Sequence, residues 1–351
     1  MNRQSQWLFE APPASLSNDV SSFPSLEFEQ NWLFEAPVQK APTLIGSEST
    51  PPSSTLYIKS NIGCTTKRDK TKVCPQPMTG IFLSENYRFT PQADLILYLQ
   101  GHHRTNLTIN QYWNQRYYPF FAFREGVNAS GKNVILVAPT LGSKSEAGNL
   151  IQSNGFDAYI DQVLAAIRTY FAPSMMFDQP LSLGNLILAC HSGGGLPMRE
   201  IALSRTKYAS KIRECWGFDC IYNSGDADFW KKWATGNSSR KVYIYYISTC
   251  LAQDPTIPMK DSITQKVQWK SAACPSSFSG CDNRKPPKVG GKQCTNTTFE
   301  AMKLASLKLP NVCVFDTTKV KDLKQRTTNH NHVPITYWKA RIKAAPFLAD
   351  R

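Results

Sequence analysis

The stretch LILACHSGGG, residues 186–195, decides the fold. Its first four residues, 186–189, are apolar without interruption, as a strand buried on both faces of a parallel sheet requires. Ser192 and three glycines come shortly afterwards, a composition that favours a sharp turn over a continued strand. The stretch therefore predicts a strand that stops at Ser192 and a helix that begins beyond the glycines.

On both sides of this stretch the chain alternates strand-like and helix-like segments. This pattern is typical of a parallel sheet covered by helices on both faces, so the predicted class is α/β. Strands are predicted at residues 55–59, 80–83, 94–99, 133–138, 186–189, 215–218, 242–247 and 312–315. Helical spacing of apolar residues predicts a helix over 156–171. A last helix is expected to begin at Pro334, because proline suits the first turn.

Ser192 is the candidate nucleophile. A serine on a tight strand-to-helix turn presents its hydroxyl clear of both elements, and the residues two before and two after it must be small. Here they are Cys190 and Gly194, so cysteine replaces the first glycine of the G-x-S-x-G pattern. Gly193 would offer its backbone N–H to an oxyanion, and the helix that follows would add its dipole. The alternative is a serine in an ordinary glycine-rich turn.

A second turn of interest follows the apolar run 94–99 and reads QGHHR, residues 100–104. A glycine-led turn after an early strand suits the second donor of an oxyanion hole, which is a backbone N–H. We expect this donor to be His102 or His103. Their side chains are expected to orient the loop, and ordinary loop polarity is the alternative.

The general base is expected near the C-terminus if the catalytic residues follow the order Ser, Asp, His. Of the five histidines, His330 and His332 stand between the last predicted strand and the last predicted helix. We prefer His332, because Val333 and Pro334 lead from it directly into that helix. His330 is the alternative base.

Two aspartates compete for the role of the acid. Asp219 ends the strand after the one that carries Ser192, and Asp254 follows the next strand along the chain. Asp219 has the more apolar setting, where a carboxylate is costly to bury without a partner. We favour Asp219 by a small margin and keep Asp254 as the alternative acid.

These motifs together resemble the α/β-hydrolase superfamily, and its esterase and lipase branches above all. The residues that carry the resemblance are Gly101-His102, Val137-Ala138-Pro139, His191-Ser192-Gly193-Gly194 and His332-Val333-Pro334. The resemblance covers about residues 55–351. It implies an α/β-hydrolase fold and acyl transfer by a Ser–His–Asp triad through an acyl-enzyme, with no metal or organic cofactor. Gln100 stands where many relatives have the histidine of a His-Gly pair, but only the backbone is needed there.

The resemblance leads us to expect a carboxylic-ester hydrolase. An exported lipase or phospholipase-type effector is a narrower form of this hypothesis. A catalytically silent hydrolase fold used for binding is the alternative from another class.

Composition bounds the partners. The chain has 40 Lys and Arg against 26 Asp and Glu, a formal charge of +14. This excess favours an anionic ester or lipid substrate, although scattered solvated lysines explain it as well. No aromatic-interleaved basic stripe is present, which argues against nucleic acid. No run of 18 apolar residues predicts a transmembrane helix, and no cleavable signal peptide is evident.

The ten cysteines fall into two groups. We expect buried free thiols in the apolar runs and allow disulfides in the polar loops. The first group is Cys190, Cys215, Cys220, Cys250 and Cys313, and the second is Cys64, Cys74, Cys274, Cys281 and Cys294.

Two regions stand outside the predicted core. Residues 1–54 are rich in Ser, Pro and Glu, which predicts a disordered leader. The motif WLFEAP occurs there twice, at 7–12 and 32–37, as a docking or export tag for a protein partner or as a segment that folds back on the chain. An insert at about 250–298 is expected to cap the strand ends, and its basic stretch 284–288 would favour an anionic substrate.

Overall fold

The main element of the computed structural model is a sheet of nine strands. The structure describes residues 41–50, 53–60, 62, 65–66, 72–73, 77–103, 107–113, 122–152, 154–171, 180–248, 250–251, 288–289, 292–294, 296–320 and 326–351. The strands of the main sheet are β1 (Leu44–Thr50), β2 (Ser53–Lys59), β5 (Met78–Leu83), β6 (Gln92–Leu99), β7 (Ile135–Pro139), β8 (Ser182–His191), β9 (Ile212–Phe218), β10 (Lys241–Tyr246) and β14 (Val312–Asp316). Their order across the sheet is β1-β2-β5-β7-β6-β8-β9-β10-β14.

The six strands from β7 to β14 in this order run parallel, whereas β1, β2 and β5 pair antiparallel at one side. Short strands form two further small sheets: β3 (Thr65–Thr66) pairs with β4 (Lys72–Val73), and β13 (Lys292–Cys294) lies between β11 (Cys250–Leu251) and β12 (Lys288–Val289). This mostly parallel sheet confirms the predicted α/β class.

Helices cover both faces of the main sheet. They are α1 (Ile109–Tyr112), α2 (Phe123–Ser130), α3 (Gly155–Ala166), α4 (Gly195–Leu203), α5 (Asp226–Thr235), α6 (Asn296–Ser306) and α7 (His332–Lys343). The buried side chains form two hydrophobic clusters. One contains side chains of α3, α4, α5 and α6, and the other contains side chains of α1, α2 and α7.

Strand β6 shows why its sequence is apolar throughout. Successive side chains of a strand point to opposite faces. Leu95, Leu97 and Leu99 accordingly lie in one core cluster, while Ile96 and Tyr98 lie in the other, and all five are 1% exposed or less. A strand buried on both faces leaves no position for alternating polar residues.

Three predicted boundaries change. The domain begins before residue 55, because Leu44–Thr50 pairs antiparallel with β2 as an edge strand within the predicted leader. The predicted helix over 156–171 is α3 followed by a π-helical turn, Ile167–Phe171. The last helix begins at His332, so Pro334 is its third residue, where its missing N–H still costs no intrahelical bond.

Some predictions lie outside the described residues: both WLFEAP motifs, Asp254 and most of the insert. Among the described helices, none is long and apolar enough to cross a membrane. The cysteine prediction is confirmed for Cys190, Cys215 and Cys220, which are buried free thiols, while Cys313 is free and half-buried.

Candidate active site

Ser192 occupies a strained turn between a buried strand and a helix. Strand β8 ends at His191, a single 3₁₀ turn covers Ser192–Gly194, and α4 follows. Ser192 has a φ of 53°, in the left-handed region that non-glycine residues seldom adopt. Such a residue costs about 1–3 kcal/mol and persists only where its surroundings impose it, most often at functional sites.

The glycines after Ser192 are required by close approaches of neighbouring backbone. A Cβ built on Gly194 would lie 2.3 Å from the carbonyl oxygen of Leu99. A Cβ built on Gly195 would lie 2.2 Å from the carbonyl oxygen of Cys220. Any side chain at these positions would push the turn away from the ends of β6 and β9. Gly194 and Gly195 therefore allow the turn to lie against the carboxyl edge of the sheet.

Cys190 fits where the G-x-S-x-G pattern has glycine, because its side chain enters the core rather than the site. Its side chain is fully buried in the core cluster that also contains Cys220. The neighbouring Cys190 thiol and burial raise the pKa of the Cys220 thiol well above its usual range. The Cys220 thiol therefore stays neutral and does not compete with Ser192 as a nucleophile.

Asp219 directly follows β9 and is held by its own backbone as well as its side chain. Its φ is 47°, and its N–H donates to the Tyr245 carbonyl at 2.7 Å. The Ile247 N–H donates to its Oδ1 at 3.2 Å. Its other carboxylate oxygen, Oδ2, lies 2.6 Å from Nδ1 of His330. The carboxylate thus has partners on both oxygens, as its 7% exposure requires.

The histidine beside Asp219 is His330, the alternative base, and not His332. Because a carboxylate oxygen accepts, Nδ1 of His330 carries the hydrogen, and in the neutral imidazole Nε2 then has a lone pair. His332 is the first residue of α7, and its N–H donates to the carbonyl of Asn329 at 2.9 Å. Our preference for His332 is therefore revised: the turn that starts the helix carries His330 to the carboxylate and leaves His332 on the helix.

His191 is a residue of the site that sequence reasoning did not select. It is 3% exposed, and its ring packs against that of His330 at a tilt of 34°, with the ring centroids 4.4 Å apart. Its Nε2 lies 3.1 Å from the His330 carbonyl oxygen, so Nε2 carries the hydrogen and donates. Burial, followed by the nearby His330, lowers the pKa of His191 well below its usual value. A neutral His191 therefore holds the His330 turn without adding a charge.

The predicted oxyanion turn lies against Ser192. A Cβ built on Gly101 would come within 2.7 Å of the Ser192 Cβ, and one on Gly193 within 2.2 Å of Nε2 of His102. The His103 N–H is already donated to the Ser143 carbonyl at 2.9 Å, which removes His103 as a donor. No described residue accepts from the His102 N–H. Of the two predicted donors, His102 alone fits.

Gln100 fixes this turn through its side chain. Its Nε2 donates to the Leu141 carbonyl at 3.1 Å and lies 3.0 Å from Nε2 of His103. The Ser145 hydroxyl donates to the Gln100 carbonyl at 3.0 Å. Gln100 thus anchors the turn to the loop after β7.

Tyr222 is the second residue that the sequence did not single out. It lies three residues beyond Asp219, and its hydroxyl donates to the Asp219 carbonyl at 2.7 Å. Burial and the Asp219 carboxylate raise the pKa of Tyr222 well above its usual value, so the phenol stays neutral.

No protein-family model matches the sequence, and no curated protein sequence matches it. Solved structures do resemble it. An S-formylglutathione hydrolase from Agrobacterium tumefaciens is 9% identical over 86% of this chain and 98% of its own, with a TM-score of 0.36. An IroE-like serine hydrolase from Shewanella oneidensis is 14% identical over 83% and 79%, with a TM-score of 0.37. A feruloyl esterase module from Clostridium thermocellum is 12% identical over 59% and 75%, with a TM-score of 0.35. The assignment of the site rests on the geometry described above.

Proposed function

We propose that this chain is a serine hydrolase that cleaves carboxylic esters through an acyl-enzyme. The observation that supports this most directly is the pairing of His330 with Asp219 at the strand end next to the strained Ser192 turn. A serine hydroxyl at its free pKa is a weak nucleophile and needs an adjacent base, which a third group orients. Ser192, His330 and Asp219 supply these three parts.

The roles follow from the hydrogen positions. Asp219 fixes the hydrogen of His330 on Nδ1, so that Nε2 takes the proton of Ser192 Oγ as the oxygen attacks the ester carbonyl. The carboxylate also stabilises the imidazolium that forms. His330 then returns the proton to the departing alcohol, and a water molecule activated in the same way releases the acid.

The oxyanion of each tetrahedral intermediate would be held by the N–H groups of Gly193 and His102. Gly193 lies in the first turn after β8, where N–H groups have no partner within the helix. The Gly101 turn that carries His102 lies against Ser192, which supports His102 as the second donor. Donors fixed before the reaction stabilise developing charge without reorganisation, and losing one typically costs about 10²–10³-fold in kcat.

The test is labelling by a fluorophosphonate probe, which reacts with activated serines, followed by turnover of p-nitrophenyl esters. We expect the wild type to label and the Ser192→Ala variant not to label. His330→Ala should lose about 10²–10⁴-fold in turnover, whereas His332→Ala should stay close to wild type. A folded wild type that does not label would reject the proposal and favour a silent binding fold. Loss in the His332 variant alone would restore the base preferred from the sequence.

The narrower hypotheses about substrate and partner depend on the insert and the leader, which are not part of the site described above. A lipase or phospholipase activity, an anionic substrate and a protein partner for the WLFEAP motifs all involve the insert or the leader. They stay predictions. Replacing Arg284, Lys285 and Lys288 together by glutamine should raise KM for an anionic ester and leave KM for a neutral ester unchanged.

A further inference from the structure

The imidazole of His102 fills the place that a side chain on Gly193 would occupy. A Cβ built on Gly193 would lie 2.1 Å from Cδ2, 2.2 Å from Nε2 and 2.9 Å from Cγ of His102. Distances this short mean that the ring lies directly against the backbone of the residue after Ser192. His102 is exposed, and Ser192 and Gly193 are half-buried, so the ring borders the surface at which solvent reaches the nucleophile.

The turn that carries this ring is fixed on both sides of it. Before it, Nε2 of Gln100 donates to the Leu141 carbonyl at 3.1 Å. After it, the His103 N–H donates to the Ser143 carbonyl at 2.9 Å. Because His102 stands between two anchored residues, its ring forms a wall of the site and does not swing freely with an exposed loop.

This wall lies on the side of Ser192 that is opposite to the proposed base. In the sheet, β8 stands between β6 and β9. His102 lies in the turn after β6, whereas Asp219, which holds His330, follows β9. The departing alcohol must lie near His330, because this residue returns a proton to it. The acyl group of the ester then extends to the other side, where the His102 ring is.

From this we infer that His102 is a specificity-determining residue whose ring limits the length of the acyl group that Ser192 accepts. This inference rests on the proposed function and names the substrate class of the same site, esters of short-chain acids. An acetyl group adds only one methyl beyond the carbonyl carbon. A long alkyl chain would have to displace the ring, or cover its nitrogen and deprive it of water, which is costly.

The first test is the rate of His102→Ala with p-nitrophenyl acetate, butyrate and octanoate. Removing the ring opens the space beside Gly193, while the backbone N–H at position 102 stays in place. One methylene in a fitting pocket changes kcat/KM by about 10- to 200-fold, so we expect the octanoate-to-acetate ratio of kcat/KM to rise by at least about 10-fold. His102→Trp, with a larger ring, should lower the butyrate-to-acetate ratio.

The matched control is His103→Ala, in the neighbouring histidine. Nε2 of His103 lies 3.0 Å from Nε2 of Gln100, and its ring centroid lies 6.4 Å from that of Tyr112. This ring therefore lies beside α1 and the anchoring side chain of the turn. Any loosening of the turn in this variant acts on the three esters alike, so the ratios between them should stay at the wild-type values.

The second test examines the contact with Gly193 and needs no ester. Gly193→Ala should lower the Tm by about 2–6 °C, because the new Cβ would overlap the His102 ring. The φ of Gly193 is not positive, so alanine brings no backbone strain of its own. In the His102→Ala background the same substitution should cost nothing, so the two effects should not add.

An unchanged octanoate-to-acetate ratio in His102→Ala would overturn the inference, because the ring would then lie away from the acyl group. Additive losses of Tm in the double variant would also overturn it, because the ring would then not fill the place beside Gly193. Failure of the proposed function gives a different result. The wild type would then neither label with the fluorophosphonate probe nor cleave any of the three esters, and the role of His102 in specificity would fall with it.

Discussion

The substitution Asp219→Asn gives the sharpest test of the triad, because the structure dictates how an amide would sit there. The Ile247 N–H donates to Oδ1 and would continue to donate to the amide oxygen. The NH₂ group would then occupy the place of Oδ2, 2.6 Å from Nδ1 of His330. Asparagine tolerates a positive φ, so the backbone at 47° is preserved.

An amide NH₂ facing Nδ1 forces that nitrogen to accept, which moves the imidazole hydrogen to Nε2. Nε2 then has no lone pair with which to take the Ser192 proton. The same change of tautomer in a serine protease triad lowers kcat by about 10⁴-fold, and we expect a loss of that order here. The geometry of the site, and hence the folding stability, should change little.

The assay measures ester turnover and fluorophosphonate labelling of Asp219→Asn and, for comparison, of Asp254→Asn. The Ser192→Ala variant gives the background activity, and urea unfolding measures the stability of each variant. Activity within tenfold of the wild type in the Asp219 variant would refute the reasoning. A loss confined to the Asp254 variant would transfer the role of the acid to the alternative predicted from the sequence.

Three further predictions concern the surroundings of the site. Gly101→Ala should slow labelling by about 10²-fold, because its Cβ would approach the Ser192 Cβ to 2.7 Å, whereas Gly46→Ala, with open space around it, should have no effect. Burial keeps His191 neutral in the folded state, so an unfolded histidine with a pKa of about 6.5 binds a proton first on acidification. Between pH 7 and 5 the wild type should therefore lose stability relative to His191→Gln, by at most about 1.4 kcal/mol per pH unit. If urea unfolding gives the two proteins the same change in free energy of unfolding with pH, this reasoning is wrong. Gly126→Ala should destabilise the fold by about 1–3 kcal/mol, since its Cβ would lie 2.4 Å from Cδ1 of the buried Trp338; unchanged thermal unfolding would show that the indole gives way.

The sequence predicts those strands and turns that depend on a local pattern of residues. Unbroken apolar runs identify the central strands, because only burial on both faces explains them. The glycines after Ser192 identify the turn, and the apolar setting of Asp219 selects the aspartate that the structure pairs with a histidine.

Other features depend on tertiary contacts and leave little trace in the sequence. Strand β1 is largely polar and forms because its backbone pairs with β2. His330 and His332 are two residues apart in one loop, and only the point at which α7 begins decides which of them reaches Asp219. His191 occupies the unspecified position before the serine in the G-x-S-x-G pattern, so its contact with the His330 ring is visible only in three dimensions.

Two strained residues at one sheet edge explain why the site forms where it does. In the register of the parallel strands β8 and β9, the last residue of each strand, His191 and Phe218, form a pair. Ser192 and Asp219 are therefore the first residues beyond the two strand ends. Both have a positive φ, 53° and 47°, and each such residue costs about 1–3 kcal/mol. Because both chains turn sharply at the same level, Ser192 and Asp219 lie in one crevice beyond the carboxyl ends of the strands. This is where ligands bind in open α/β sheets. A single loop before α7 is then sufficient to add His330, because its two partners are already fixed by the sheet. Strain that serves only one residue would be lost readily by substitution with glycine. Strain repeated on adjacent strands, each time at a residue of the proposed triad, is explained by the geometry that the chemistry requires.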